Sequence, residues 1–124
     1  DGADLTGTLT MDAAAINEAA EFEVSSSSTT AIGAAPSNNV RIAGSTTINA
    51  FDVAPAGVTR RVRFAGALTL THSATLQLPG GANIATADGD CLIAQSLGGG
   101  IWKVMFYQRQ SGLVPGLGTM ATAA

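Results

Sequence analysis

The body of the chain is written in period two. From Ile101 to Arg109, Trp102, Val104 and Phe106 alternate with Lys103, Met105, Tyr107 and Arg109, which predicts a strand with one face on a core and the other on solvent. Residues 60–65 alternate likewise, with Val62 and Phe64 opposite Arg61 and Arg63. Leu68 and Leu70 then face away from Thr69 and Thr71, and Leu76 and Leu78 away from Thr75 and Gln77. Further strands are predicted over Val40–Ala43, Thr46–Phe51 and Cys91–Ser96. Turn residues separate these runs: Ala43-Gly44-Ser45, Pro55-Ala56-Gly57, Pro79-Gly80-Gly81, Asp88-Gly89-Asp90 and Gly98-Gly99-Gly100. Strands recurring about every ten residues between Gly turns, with no helical period after residue 24, define an all-β class. The body is a short-stranded meander, a sandwich or a barrel-like sheet. The Leu pairs 68/70 and 76/78 repeat at a spacing of eight, as neighbouring strands of a meander or as stacked rungs of a β-helix.

The pattern divides the chain into an N-terminal arm and linker (1–39), a β-rich body (40–112) and a C-terminal connector (113–124). Asp12–Ala20 has good helix formers and an N-cap in Asp12, but only two turns' length, so the arm is either partly helical or an extended segment clamped to another chain. Ser25–Thr30, Gly33 and Pro36–Asn39 are turn and linker chemistry. The chain begins at Asp1 without a charged-then-apolar leader, so a processed product or a piece of a longer protein is expected.

Composition adds one fact to this picture. Ala, Gly, Ser and Thr supply 61 of the 124 residues, whereas Leu, Ile, Val, Phe, Met and Trp supply 32. So few large apolar side chains support a lone chain thinly. Small residues allow chains to approach closely, and association would supply the missing burial. Charge is segregated: residues 1–40 carry −6 and residues 41–124 carry +3. Both sets are either simply solvated, or the acidic arm packs on a basic body in a neighbouring subunit.

The same arithmetic excludes several functions. A net charge of −3 argues against nucleic acid as a partner. No apolar run is long enough for a membrane-spanning helix, so no membrane insertion is expected. One cysteine, Cys91, forbids an internal disulfide, and one histidine, His72, forbids a His-His metal site. No cofactor motif occurs, because Gly98-Gly99-Gly100 lacks the Lys-Ser/Thr of a phosphate loop. His72 beside Ser73 makes no hydrolase: neighbours on a strand point apart, and there is no Gly-x-Ser-x-Gly. It reads as a surface or turn histidine. Asp88-Gly89-Asp90 reads as an Asx-type turn rather than a calcium site, and Cys91 as a small core residue. Glycoside hydrolysis needs two carboxylates about 5–10 Å apart, and the spacing here selects no pair.

The remaining candidates are for binding. Tyr107 and Lys103 share the polar face of the 101–109 strand, where Tyr107 could stack on a sugar, a peptide or a neighbouring subunit. Arg60, Arg61 and Arg63 form a basic strand face that would repeat as a ring in a threefold assembly, or would serve as a solvated edge that blocks strand pairing.

Several of these stretches occur in a recognisable order: Thr59-Arg60-Arg61-Val62-Arg63-Phe64-Ala65-Gly66-Ala67-Leu68-Thr69-Leu70-Thr71-His72, then Leu78-Pro79-Gly80-Gly81-Ala82-Asn83-Ile84, Ala87-Asp88-Gly89-Asp90, and Trp102 through Tyr107. This series resembles a module of tailed-phage and prophage tail-fibre or tail-spike-like virion proteins, over about residues 38–112. Leu5–Met11 with Ala15–Ala19 resembles a segment preceding it, and Leu117–Ala121 the start of a following fibre repeat. The resemblance implies an elongated homotrimer on a virion, built of β-structure with small residues near the threefold axis. It implies other virion tail proteins as partners and a bacterial surface glycan or protein as the target. It carries no catalytic signature and no receptor-binding residue to transfer. The expected function is a structural, non-catalytic part of a host-attachment device. The alternatives are a capsid or head-fibre protein, a glycan-hydrolysing tail-spike domain and a monomeric lectin-like sandwich.

Overall fold

The computed structural model describes residues 17–112, which form an all-β body with two short 3₁₀ turns. The strands are β1 (Phe22–Ser25), β2 (Asn39–Ala43), β3 (Thr59–Phe64), β4 (Thr69–Leu70), β5 (Leu76–Gln77), β6 (Ile84–Ala85), β7 (Cys91–Gly98) and β8 (Ile101–Gln108). Six of them make one sheet in the order β1-β2-β3-β7-β8-β5, and β4 and β6 pair separately. Residues 17–20 are not helical, and the rest of the arm's candidate helix lies outside the described residues, as does the 113–124 connector.

The first three strands do not form a meander. β1, β2 and β3 pair in parallel, with Phe22 opposite Val40 and Val40 opposite Val62. Parallel neighbours need a crossover, and here it is irregular chain in a second layer. That layer is itself stacked in parallel: Thr29 bridges Ala50 and Ile48 bridges Leu70. Stacked turns of chain are therefore present, but not where the Leu repeat placed them. Leu70 pairs with Ile84 and Leu76 with Trp102, so the two Leu pairs are not neighbours. Thr46–Phe51 contributes isolated bridges rather than a strand. The crossovers also bring the linker into the body: Ile32 and Thr30 are buried, and Arg60 donates to the carbonyls of Ile32 and Gly33.

The core lies between the inner face of the sheet and this second layer. Val40, Ile42, Val62, Phe64, Leu92 and Trp102 descend from the sheet onto Ile32, Ile48, Phe51, Leu70 and Ile84. Trp102 meets Phe51 edge-on at 5.9 Å, and its indole N–H donates to the Asp52 carbonyl at 2.7 Å. Gly33 passes over this pair so closely that an added Cβ would lie 2.7 Å from the Ala54 Cβ and 3.3 Å from Trp102 Cζ2. Gly33→Ala is therefore expected to cost about 1–3 kcal/mol by overpacking. Urea unfolding of G33A beside the double variant G33A/A54G checks this, because the double variant removes the clash and should recover most of the loss.

β7 and β8 form the hairpin that the Gly run predicts. Gly99 and Gly100 are its two loop residues, with φ of 65° and 84°, the left-handed pair that a tight hairpin turn requires. Two irregularities follow in the ladder. Ile93 is opposite Phe106 but Ala94 is opposite Val104, so Met105 is an extra residue in β8. This bulge reverses the alternation beyond it. Trp102 and Val104 are buried as expected, but Phe106 is 69% exposed and Tyr107 is buried. The expected core position of Phe106 and the expected polar-face position of Tyr107 are both overturned. Cys91 is also exposed rather than in the core, because Leu92 takes the inward position at the start of β7.

Candidate functional site

The outer face of the six-stranded sheet is solvent-facing and falls into two halves. Over β1–β3 it is charged. Glu23 stands opposite Arg41, and Arg41 opposite Arg63. Two arginines directly opposed repel each other, and the acids of the arm relieve that repulsion. Arg41 pairs with Glu23, Arg61 with Glu18, and Arg63 with Glu21 through two bonds of 2.8 and 2.7 Å. The Arg63 guanidinium holds the Glu21 carboxyl below its ordinary range, and Glu21 in turn raises Arg63. The contribution of Glu21 is thus complete above its unfolded pKa and fades as pH falls through the lowered folded value. Glu18, Glu21 and Glu23 of the acidic arm thus pair with body arginines of the same chain, and the arm's other acids, Asp1, Asp4 and Asp12, lie outside the described residues.

Over β7 and β8 the face is mixed, with Cys91, Ile93 and Phe106 beside Gln95, Lys103 and Gln108. Cys91 stands between Arg63 and Gln108, and Ile93 between Arg61 and Phe106. Where the halves join lies an open groove of about 420 Å³, with Phe106, Ile93 and Cys91 on one side and Arg61, Arg63 and Glu21 on the other.

The five predicted binding residues are distributed unequally around this groove. Arg61 and Arg63 line it. Lys103 is exposed on the same face, opposite Gln95. Arg60 is not part of that basic face. It shares the inner side with Val62, and its guanidinium is spent on the carbonyls of Ile32, Gly33 and Thr59 and on Asn38 Oδ1. Tyr107 is under the sheet, where its hydroxyl donates to Asp90 Oδ2 at 2.7 Å and its ring packs on Phe64. Burial first, then the Asp90 carboxylate, pushes the Tyr107 phenol far above its ordinary range. It offers no ring to a ligand. The aromatic group at the groove is Phe106, which sequence reasoning assigned to the core.

The polar residues considered for chemistry have structural partners. His72 Nδ1 accepts the Leu78 N–H at 3.1 Å, and Ser73 Oγ accepts from the N–H groups of Thr75 and Leu76. Asp90 closes the Asp88-Gly89-Asp90 turn by accepting the Ala87 N–H at 3.0 Å. Among the described residues no group of three His, Cys, Asp or Glu side chains is placed to hold a metal, and no helix is long and apolar enough to cross a membrane. Comparison with family models, curated proteins and solved structures finds no match to this chain.

Proposed function

We propose that this chain is a structural, non-catalytic module of a tailed-phage tail fibre or tail spike, acting in host attachment as a homotrimer. Its place is the virion, where other tail proteins adjoin it and a bacterial surface glycan or protein is the target. The observation that carries this reading is how the residues of the resembling series are used. Val62 and Phe64 form core, Arg61 and Arg63 clamp the arm, Leu70 and Ile84 pair, and Trp102 through Tyr107 build the central hairpin. The series thus serves as scaffolding, as a fibre module requires, with Arg60 tied to backbone, Arg61 and Arg63 to the arm's acids and Tyr107 to Asp90. The small-residue composition supports close association of chains. Light scattering coupled to size exclusion tests the reading. A mass of three chains is expected, and a compact monomer at all concentrations would overturn it.

A further inference from the structure

We propose that the open edge of β1 is a docking site for the chain's own N-terminal segment, Leu5–Met11, which adds there as a further parallel strand. The proposal does not rest on the function proposed above.

β1, β2 and β3, with the irregular layer behind them, are successive stacked turns of chain. A side chain that points into such a stack is covered by the turns on either side of it. Phe22, Val40 and Val62 form one inward row, and Val24, Ile42 and Phe64 the next. Val40, Ile42, Val62 and Phe64 are buried, whereas Phe22 is 45% exposed and Val24 only partly buried. The loss of cover falls on β1 because β1 ends the sheet. The backbone is open there too. The Ser26 N–H donates to the Ala43 carbonyl, so along an alternating strand the Phe22 and Val24 amides face β2, and those of Glu23 and Ser25 face away from it. No strand among the described residues lies on that side. An edge with unpaired amides and an uncovered aromatic is built to take one more strand.

Continuity, length and pattern select the occupant. The chain enters the stack at this edge: the Ala19 carbonyl accepts from Ser37 Oγ at 3.1 Å and from Asn39 Nδ2 at 2.9 Å, beside the start of β2. One turn of the stack takes 18 residues from Phe22 to Val40, and the next takes 22 from Val40 to Val62. Leu5–Met11 lies within one such length before Phe22. Residues 1–16 are outside the described residues, and their sequence holds one period-two run. Leu5, Gly7, Leu9 and Met11 alternate with Thr6, Thr8 and Thr10. The first set supplies the apolar cover that Phe22 and Val24 lack, and the threonines suit the solvent face of a strand. The run carries no charge, so it meets Glu23 without repulsion. Its tether gives it an effective concentration on the order of millimolar at the edge, which a separate molecule does not have.

The test uses the full chain, with amide exchange and proton–proton contacts read by NMR. The Glu23 and Ser25 amides should exchange at least tenfold more slowly than free peptide amides, and methyl protons of Leu5 or Leu9 should contact the Phe22 ring. Leu5→Ser combined with Leu9→Ser should speed both amides at least tenfold, while Thr6→Ser combined with Thr8→Ser leaves them as in wild type. Unchanged exchange in β7 and β8 shows that the body of each variant is folded. If the Leu variant unfolds, the wild-type contact to Phe22 decides alone. Exchange of Glu23 and Ser25 at free-peptide rates in wild type overturns the proposal, and so does protection that survives L5S/L9S. In a mixture of isotope-labelled and unlabelled chains, contacts from Leu5 or Leu9 of one chain to Phe22 of another would give the edge to a second copy and sink it equally. The trimer reading is judged by mass, so it can fail while this strand stands, and this strand can fail while the trimer stands.

Discussion

Trp102→Ala is expected to remove about 3–5 kcal/mol of stability, the range for deleting a large buried aromatic. Whole domains hold only about 5–15 kcal/mol, so this variant should be partly unfolded under mild conditions. The reason lies in what Trp102 joins. It is fully buried, its ring meets Phe51 edge-on, and its position under Gly33 leaves no slack for neighbours to collapse into the vacated space. Its N–H also holds the carbonyl of Asp52, a non-glycine residue with φ of 71°. That left-handed turn is stabilised locally by the Val53 N–H donating to Asp52 Oδ1 at 2.7 Å. Removing the indole frees the turn and opens the core together. Trp102→Phe separates the two effects. It keeps an aromatic ring against Phe51 but loses the donor, a loss of about 1–2 kcal/mol on top of the smaller volume. Far-UV circular dichroism in urea, rather than fluorescence, is the readout, because Trp102 is the chain's only tryptophan. A midpoint shift with unchanged slope reports stability alone. A W102A midpoint within error of wild type would mean that the core does not depend on this contact.

The parts of the fold legible in the sequence were those where polar and apolar residues alternate strictly. Arg61-Val62-Arg63-Phe64 gave both the strand and its faces, because a one-residue slip would bury two arginines. Val104-Met105-Phe106-Tyr107 is four apolar residues in a row, and Cys91-Leu92-Ile93-Ala94 is another, directly across the hairpin. Within such runs either phase places an apolar group on the core, so period two carries no information. The bulge sits there, and the exchanged roles of Phe106 and Tyr107 follow from it. The uninterrupted run was the available signal that a phase change was tolerable. Segregation of charge was legible as well, but not its address. Glu18, Glu21 and Glu23 reach their arginines only because β1 joins β2 in parallel, and nothing local in Phe22–Ser25 encodes a parallel partner. The groove was hidden for the same reasons, since its charged side depends on that pairing and its apolar side on the bulge.

Asp90→Ala should be nearly as damaging as loss of Trp102, by about 3–5 kcal/mol, the cost of breaking a buried charged network from one side. Asp90 is 1% exposed, yet its carboxylate is fully engaged. Oδ2 accepts the Tyr107 hydroxyl at 2.7 Å and the Ala87 N–H at 3.0 Å, Oδ1 accepts the Gln110 N–H at 2.8 Å, and Arg109 stands 3.4 Å away. The alanine variant leaves the phenol and two backbone amides without their acceptor and takes the carboxylate from Arg109, whose guanidinium keeps the Ala85 carbonyl. Arg109 also lies 5.7 Å from the Tyr107 ring centroid, so the end of β8 loosens with it. Asp90→Asn keeps the shape but turns half the acceptor into a donor, and an intermediate loss is expected. Tyr107 gives a direct optical test, because it is the only tyrosine. Its phenol is raised in the folded chain, so it favours folding at every pH below the unfolded value, and that advantage shrinks as pH climbs above about 10. Tyrosinate absorbance at 295 nm should therefore appear only together with loss of strand structure in wild type. In D90A it should appear at lower pH than in wild type, though still above the ordinary tyrosine range while the ring stays buried, because burial is the larger cause of the shift. Free ionisation of Tyr107 in the folded wild-type chain would mean that the hydroxyl is not held by Asp90, and that the bulge which turns Phe106 outward lacks its inner anchor.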